Sequence, residues 1–191
     1  MDVDVREERA SPLDLYAGLS IAYEVSEVFD VADDPSSGGG FLLSPRRVDT
    51  PYVKDYDADS GEGPAEWGRR FDLANWGFLL ARSGGVLVGG AAVAFDTKGL
   101  SMLEGRQDLA VLWDLRVAPE ARGQGVGPAL FRAAEAWARA RGCRELKVET
   151  QNTNVPACRF YARSGCTVRA IDRFAYPALP HEIQLLWYKG L

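Results

Sequence analysis

Histidine is almost absent: His181 is the only one in 191 residues. A single imidazole gives a Ser/His/Asp or Cys/His site little to be built from, and His181, between two short strand-like segments, reads as a loop residue. Cysteine is scarce too. Cys143, Cys158 and Cys166 are odd in number and none stands in a CxxC pair, which argues against a disulfide framework and against zinc, so no metal is expected. Positive charge is not in excess: 22 Lys and Arg stand against 27 Asp and Glu, a net charge of -5, the wrong balance for a nucleic-acid binder. No apolar run is long enough to span a membrane, and the charged start, MDVDVREERA, is unlike a signal peptide. The expectation is a soluble, cytoplasmic protein with neither nucleic acid nor membrane as partner.

Apolar residues make up 47% of the chain, with five tryptophans, enough for the core of one domain over residues 1–191. Charge is unevenly spread. From Glu27 to Glu66 ten acids face three bases, a local -7, while Arg116 to Lys147 carries seven bases and three acids. One face would suit a cationic ligand and another an anionic one. Ser11, Pro12 and Asp14 form a helix-start signature, and the spacing predicts a helix over about 12–28, broken near Gly18. DDPSSGGG is a loop, and 41–70 reads as irregular, a binding region rather than scaffold. Two apolar runs about Ser83-Gly84-Gly85 predict a hairpin. In LAVLWDLRVAP the alternation puts Val111, Trp113, Leu115 and Val117 on one face and Asp114 and Arg116 on the other. An alanine-rich helix from about Pro128 to Gly142, the strand RELKVET, a short helix from Pro156 to Gly165 and two closing strands complete a mixed α/β chain.

The loop Arg122-Gly123-Gln124-Gly125-Val126-Gly127 lies between a strand and a helix, a natural anion cradle. No lysine is followed by Ser or Thr, so it is not a P-loop. GxGxxG would need glycine at 128 or 130, where Pro128 and Leu130 stand, which weakens a nicotinamide site. R-x-x-G-x-G, with LRVAPEARGQG before and ALFRAAEAWARARG after, resembles the acetyl-CoA motif of the GCN5-related N-acetyltransferases. NTNVPACRFYARSGC is similar to their second motif, matching at Asn154, Ala157, Tyr161 and Gly165, with Cys166 where Phe is usual. YEVSEVFDV, PYVKDYD, VETQNTNVPACRFYARSGCTVRAIDRFAY and HEIQLLWYKG resemble the streptothricin acetyltransferase subgroup. GPAEWGRRFDLAN and TKGLSMLEGRQD look like insertions, and Trp113 stands where that subgroup tends to have Glu.

The resemblance implies a mixed, mostly antiparallel central sheet with splayed central strands flanked by helices. It also implies acetyl-CoA as cosubstrate and direct acetyl transfer to a primary amine. Residues 1–70 would hold an N-terminal helix and the acceptor-binding region, 71–165 the acetyl-CoA core and 166–191 a C-terminal hairpin. Leu115, Arg116, Val117, Arg122, Gly123, Gln124, Gly125, Val126, Gly127, Asn154, Ala157 and Tyr161 would bind the cosubstrate. Tyr161 would protonate the leaving thiolate, and Asp114 or Glu149 would take the proton of the amine. For a cationic acceptor the acidic block offers Asp30, Asp55, Asp57 and Asp59, shaped by Tyr52 and Tyr56. A polyamine, an aminoglycoside or a protein lysine remains an alternative acceptor, a non-catalytic acyl-CoA sensor an alternative function. Dimers are common in the family, so a homodimer is a further expectation.

Overall fold

The computed structural model describes residues 2–8, 13–36, 40–61 and 63–191, and the side chains of Asp59 and Ser60 are outside the description. The chain divides into two compact units, residues 1–22 with 55–146 and 191, and residues 23–54 with 147–190. Among the described residues no helix is long and apolar enough to cross a membrane.

The first unit orders its strands β1-β4-β5-β6, all antiparallel: β1 Asp4–Glu8, β4 Gly77–Ser83, β5 Val86–Ala94 and β6 Leu109–Val117. The expected hairpin is β4-β5, turned by Gly84 and Gly85, both at positive φ. β1 was not anticipated: its charged residues lie on an outer strand, where alternate side chains face water. Helix α4, Val126–Arg139, begins two residues before Pro128, and Val126 and Leu130 pack on Gly89, where a Cβ would sit 2.9 Å from Val126 Cγ1. The opposite face carries helix α1, Leu13–Ala17, whose Tyr16 is fully buried against Gly90.

Three expectations from the sequence are corrected. The predicted helix over 12–28 is only α1, followed by strand β2, Tyr23–Asp33; Ser11 and Pro12 lie outside the described residues. A bulge between Val25 and Glu27 sets buried Val25 and Val28 three apart, imitating helical spacing, while the aromatic and β-branched content favours the strand. Residues 41–70 are not irregular: they form strand β3, Phe41–Lys54, and helices α2, Tyr56–Ser60, and α3, Pro64–Arg70. Pro45 and Pro51 are tolerated because β3 pairs with β2 alone. In β6 the register slips at Trp113, so Ala92 faces Asp114 and Ala94 faces Val111. The bulge shifts the alternation and puts Asp114 and Arg116 on the inward face with Val111.

The second unit holds the β2-β3 ribbon, the strand run β7-β9-β8 and helix α5, Val155–Arg163. β7 is Glu145–Gln151, β8 Thr167–Asp172 and β9 Gln184–Gly190. Asn152 ties these parts together, donating to Phe29 O (2.9 Å) and accepting from Ile183 N (2.8 Å). The mixed α/β class with a mostly antiparallel sheet flanked by helices is the one expected.

Candidate active site

The glycine loop exposes its backbone. Gly123 and Gly125 adopt φ of 74° and 90°, and a Cβ at either would point into open space. Gly125 is the N-cap of α4 and offers no side-chain cap, so the first-turn N–H groups have no partner inside the helix. A side chain at these positions would strain the turn and crowd whatever approaches those amides. Gln124 bends back to Glu120 O (2.7 Å), and Val126 is buried at the helix start. Arg122 keeps its charge beside the loop, donating through Nε to Val117 O (3.0 Å) and through Nη2 to Ala22 O (2.8 Å). The arrangement fits the pyrophosphate of a coenzyme: open N–H groups, a helix dipole and one fixed cation.

Leu115, Arg116 and Val117 pair with Ala91, Gly90 and Gly89 of β5. The Arg116 side chain is 1% exposed and all five of its N–H groups are engaged. Nε and Nη2 donate to Asp114 at 2.9 and 2.6 Å, Nη1 and Nη2 to Asp57 at 2.8 and 3.3 Å, and Nη1 to Leu19 O at 3.0 Å. Tyr16 donates its hydroxyl to Asp114 Oδ1 (2.5 Å). Burial opposes the Arg116 charge, but Asp114 and Asp57 outweigh it and raise its pKa further. Burial, and then Asp114, push the Tyr16 phenol well above its usual range. Asp114 thus accepts three hydrogen bonds within a buried cluster. Tyr16 and Asp57 as partners of Arg116 were missed, because only the bulge at Trp113 turns Arg116 inward.

Trp113 packs edge-on against Phe71 (5.4 Å) and Trp76 (5.7 Å), which continue into Trp67 and Tyr16. Leu100 and Leu103 join the same cluster. The two segments that look like insertions therefore build the surroundings of Trp113.

In the second unit Glu149 lies half-buried on β7, receiving the Tyr176 hydroxyl and a hydrogen bond from Gln184. Burial raises its pKa, countered in part by Tyr176, Gln184 and Lys147. Tyr176, also missed, belongs to a loop with no motif to mark it. Asn154 caps α5, its Oδ1 accepting from Ala157 N (3.2 Å). Tyr161, on that helix, is 5% exposed and edge-on to Phe160.

The acidic block is largely paired. Asp30 binds Arg46 (3.0 Å), Glu27 binds Arg159, and Asp55 caps α2 through Asp57 N (3.1 Å). Tyr52 is 45% exposed, its phenol pKa raised by burial and by Glu182, while Tyr56 opens α2 and is half-buried. Glu182 forms a buried ion pair with Lys54 that the sequence did not suggest. His181 beside it is exposed. Cys143, Cys158 and Cys166 are buried and none is in a disulfide, and among the described residues no His, Cys, Asp or Glu group is placed to hold a metal ion.

Residues 48–166 match the model of the Acetyltransferase (GNAT) family. The chain is 36% identical to a streptothricin acetyltransferase of Escherichia coli over 169 residues, 86% of this chain and 83% of that protein. It is 30% identical to the streptothricin acetyltransferase of Streptomyces lavendulae over 98% of this chain and 94% of that one. A streptothricin acetyltransferase-type structure from Bacillus anthracis, solved in complex with acetyl coenzyme A, superposes with a TM-score of 0.79 at 21% identity, covering 100% of both chains, and shares the fold. The chain belongs to the Acetyltransferase (GNAT) family, whose members use acetyl-CoA, and it is an N-acetyltransferase homologous to the streptothricin acetyltransferases.

Proposed function

We propose that this enzyme acetylates a primary amine of a streptothricin-type antibiotic with acetyl-CoA as donor. The observation that carries this reading is the reach of the Streptomyces lavendulae match, 98% of the chain, which takes in YEVSEVFDV and PYVKDYD far from the glycine loop. In this reading residues 1–70 recognise the acceptor, 71–165 form the acetyl-CoA core and 166–191 complete it. Bound acetyl-CoA supplies an acetyl group activated as a thioester. The N–H groups from Gly123 to Gly127 hold the pyrophosphate, with the Arg122 charge beside them, and Asn154 and Ala157 line the pantetheine arm.

An ordinary alkylamine with a pKa near 10.4 is neutral only about once in a few thousand molecules at pH 7, so a base is needed. Glu149 takes that proton; its raised pKa brings it closer to the operating pH than an ordinary carboxylate. Asp114 is less suited, because Tyr16 and Arg116 occupy its carboxylate, and it serves as an anchor. As the C–N bond forms, backbone N–H groups among Leu115, Arg116 and Val117 stabilise the charge on the carbonyl oxygen. As the C–S bond breaks, Tyr161 gives its proton to the departing sulfur. Asp30 and Asp55 provide a negative field for a cationic acceptor, and Tyr52 and Tyr56 shape its seat.

The test is mass spectrometry of the products with streptothricin, spermidine and a lysine peptide offered in parallel. One acetyl group on streptothricin, lost by a factor of about 100 or more in Tyr161→Phe, is expected. Acetylation of spermidine or the peptide alone would overturn the acceptor.

A further inference from the structure

Tyr176 lies in the segment between β8 and β9, which contains short local turns: Asp172 Oδ1 accepts from Phe174 N (2.7 Å), Tyr176 O from Leu179 N (2.9 Å) and Leu179 O from Glu182 N (2.9 Å). Phe174, two residues before it, is 85% exposed, whereas the Tyr176 side chain turns inward to Glu149. The direction of its proton follows from counting donors. Gln151 Nε2 donates to the Tyr176 oxygen at 3.0 Å, and an amide nitrogen cannot accept. The single hydroxyl proton therefore points at Glu149 Oε1, giving an ordered chain from Gln151 through Tyr176 to Glu149. Gln184 of β9 hydrogen-bonds both Glu149 and Tyr176, and Lys147, on the same strand as Glu149, is the charged group that favours its ionised form.

We propose that Tyr176 is the positioning residue of the general base: oriented by Gln151, its hydroxyl holds the Glu149 carboxylate in one direction and in its ionised form. The proposal rests on the assignment of Glu149 as base. Without this donor, only Gln184 and Lys147 would oppose the burial of Glu149, and its proton would be held more tightly. Phenylalanine at 176 preserves the ring and its packing and removes only the donor, so it separates positioning from folding.

The experiment measures kcat/KM for the amine against pH in the wild type, Tyr176→Phe and Glu149→Gln. Removing a donor to the charged form makes the proton harder to lose, so the acid limb of Tyr176→Phe moves to higher pH. On that limb about tenfold is lost, most of it in kcat, recovering as pH rises, with the affinity for acetyl-CoA unchanged. A 13C titration of the Glu149 carboxyl, which needs no turnover, moves in the same direction. If Glu149→Gln is inactive but the Tyr176→Phe profile and titration superpose on the wild type, the role of Tyr176 is overturned and the base stands. If Glu149→Gln is as active as the wild type, both fall.

Discussion

Arg116 shows how a residue's neighbours decide its role. It lies on the strand that leads into the glycine loop, and a cation there looks ready for an anionic ligand. Its N–H groups are instead spent on Asp114, Asp57 and Leu19 O, fastening α1 and α2 to β6. A buried guanidinium with one carboxylate removed is costly, so Asp114→Asn should lower stability by about 3 kcal/mol, read as an earlier urea midpoint with an unchanged slope. If Asp114 were the base instead, the variant would fold normally and lose turnover. Lysine at 116 would not rescue the site, since an ammonium cannot span two carboxylates and a carbonyl at once. Glu149 differs in kind: its hydrogen-bond partners are the Tyr176 phenol and the Gln184 amide, with Lys147 the nearby charge, and among the described residues no guanidinium clamps it.

Among the elements, β6 is where the chain departs most from a regular pattern. The bulge at Trp113 inserts one residue, turning Asp114 and Arg116 toward Tyr16 and giving the indole over to Phe71 and Trp76. α3 and the turn Ser101–Leu103 exist to cover this aromatic group, so the tryptophan and the two extra segments form one unit of packing. Trp113→Glu should therefore disturb this packing. It removes two aromatic contacts and places a carboxylate in an apolar cluster beside Asp114, and about 2–3 kcal/mol should be lost in urea unfolding. Unchanged stability would mean that the cluster does not depend on the indole. α4 is simpler. Its alanine-rich sequence, the glycines at its start and Gly142 past its end could all be read in advance, because these are local backbone requirements.

On the scale of the whole molecule the net charge of -5 includes acids held by bases, Asp30 by Arg46, Asp57 by Arg116 and Glu27 by Arg159, so part of the acidic block is scaffold as well as recognition surface. Titration of buried groups gives the molecule an alkaline limit. Burial raises the Cys158 thiol from an ordinary 9.0 to about 11. Because the folded state holds this proton more tightly, its contribution is complete below pH 9 and is lost as pH rises from about 9 to 11, on the order of 2–3 kcal/mol. Urea midpoints across that window should fall, and Cys158→Ala should flatten the decline; an identical decline in the variant would assign it to other groups. The sequence alone determined the mixed α/β class, the β4-β5 hairpin, α4 and α5 and the family, since each depends on short-range pattern: alternation, capping and glycines at fixed spacing. The tertiary structure decided that Tyr16 and Arg116 occupy Asp114 while Tyr176 and Gln184 bond Glu149, that residues 23–33 form a strand, and that Trp113 belongs to a core. Those outcomes turn on the register irregularity between Val25 and Glu27 and the one-residue slip at Trp113, and on contacts such as Tyr16 with Asp114, 98 residues apart, that no local pattern encodes.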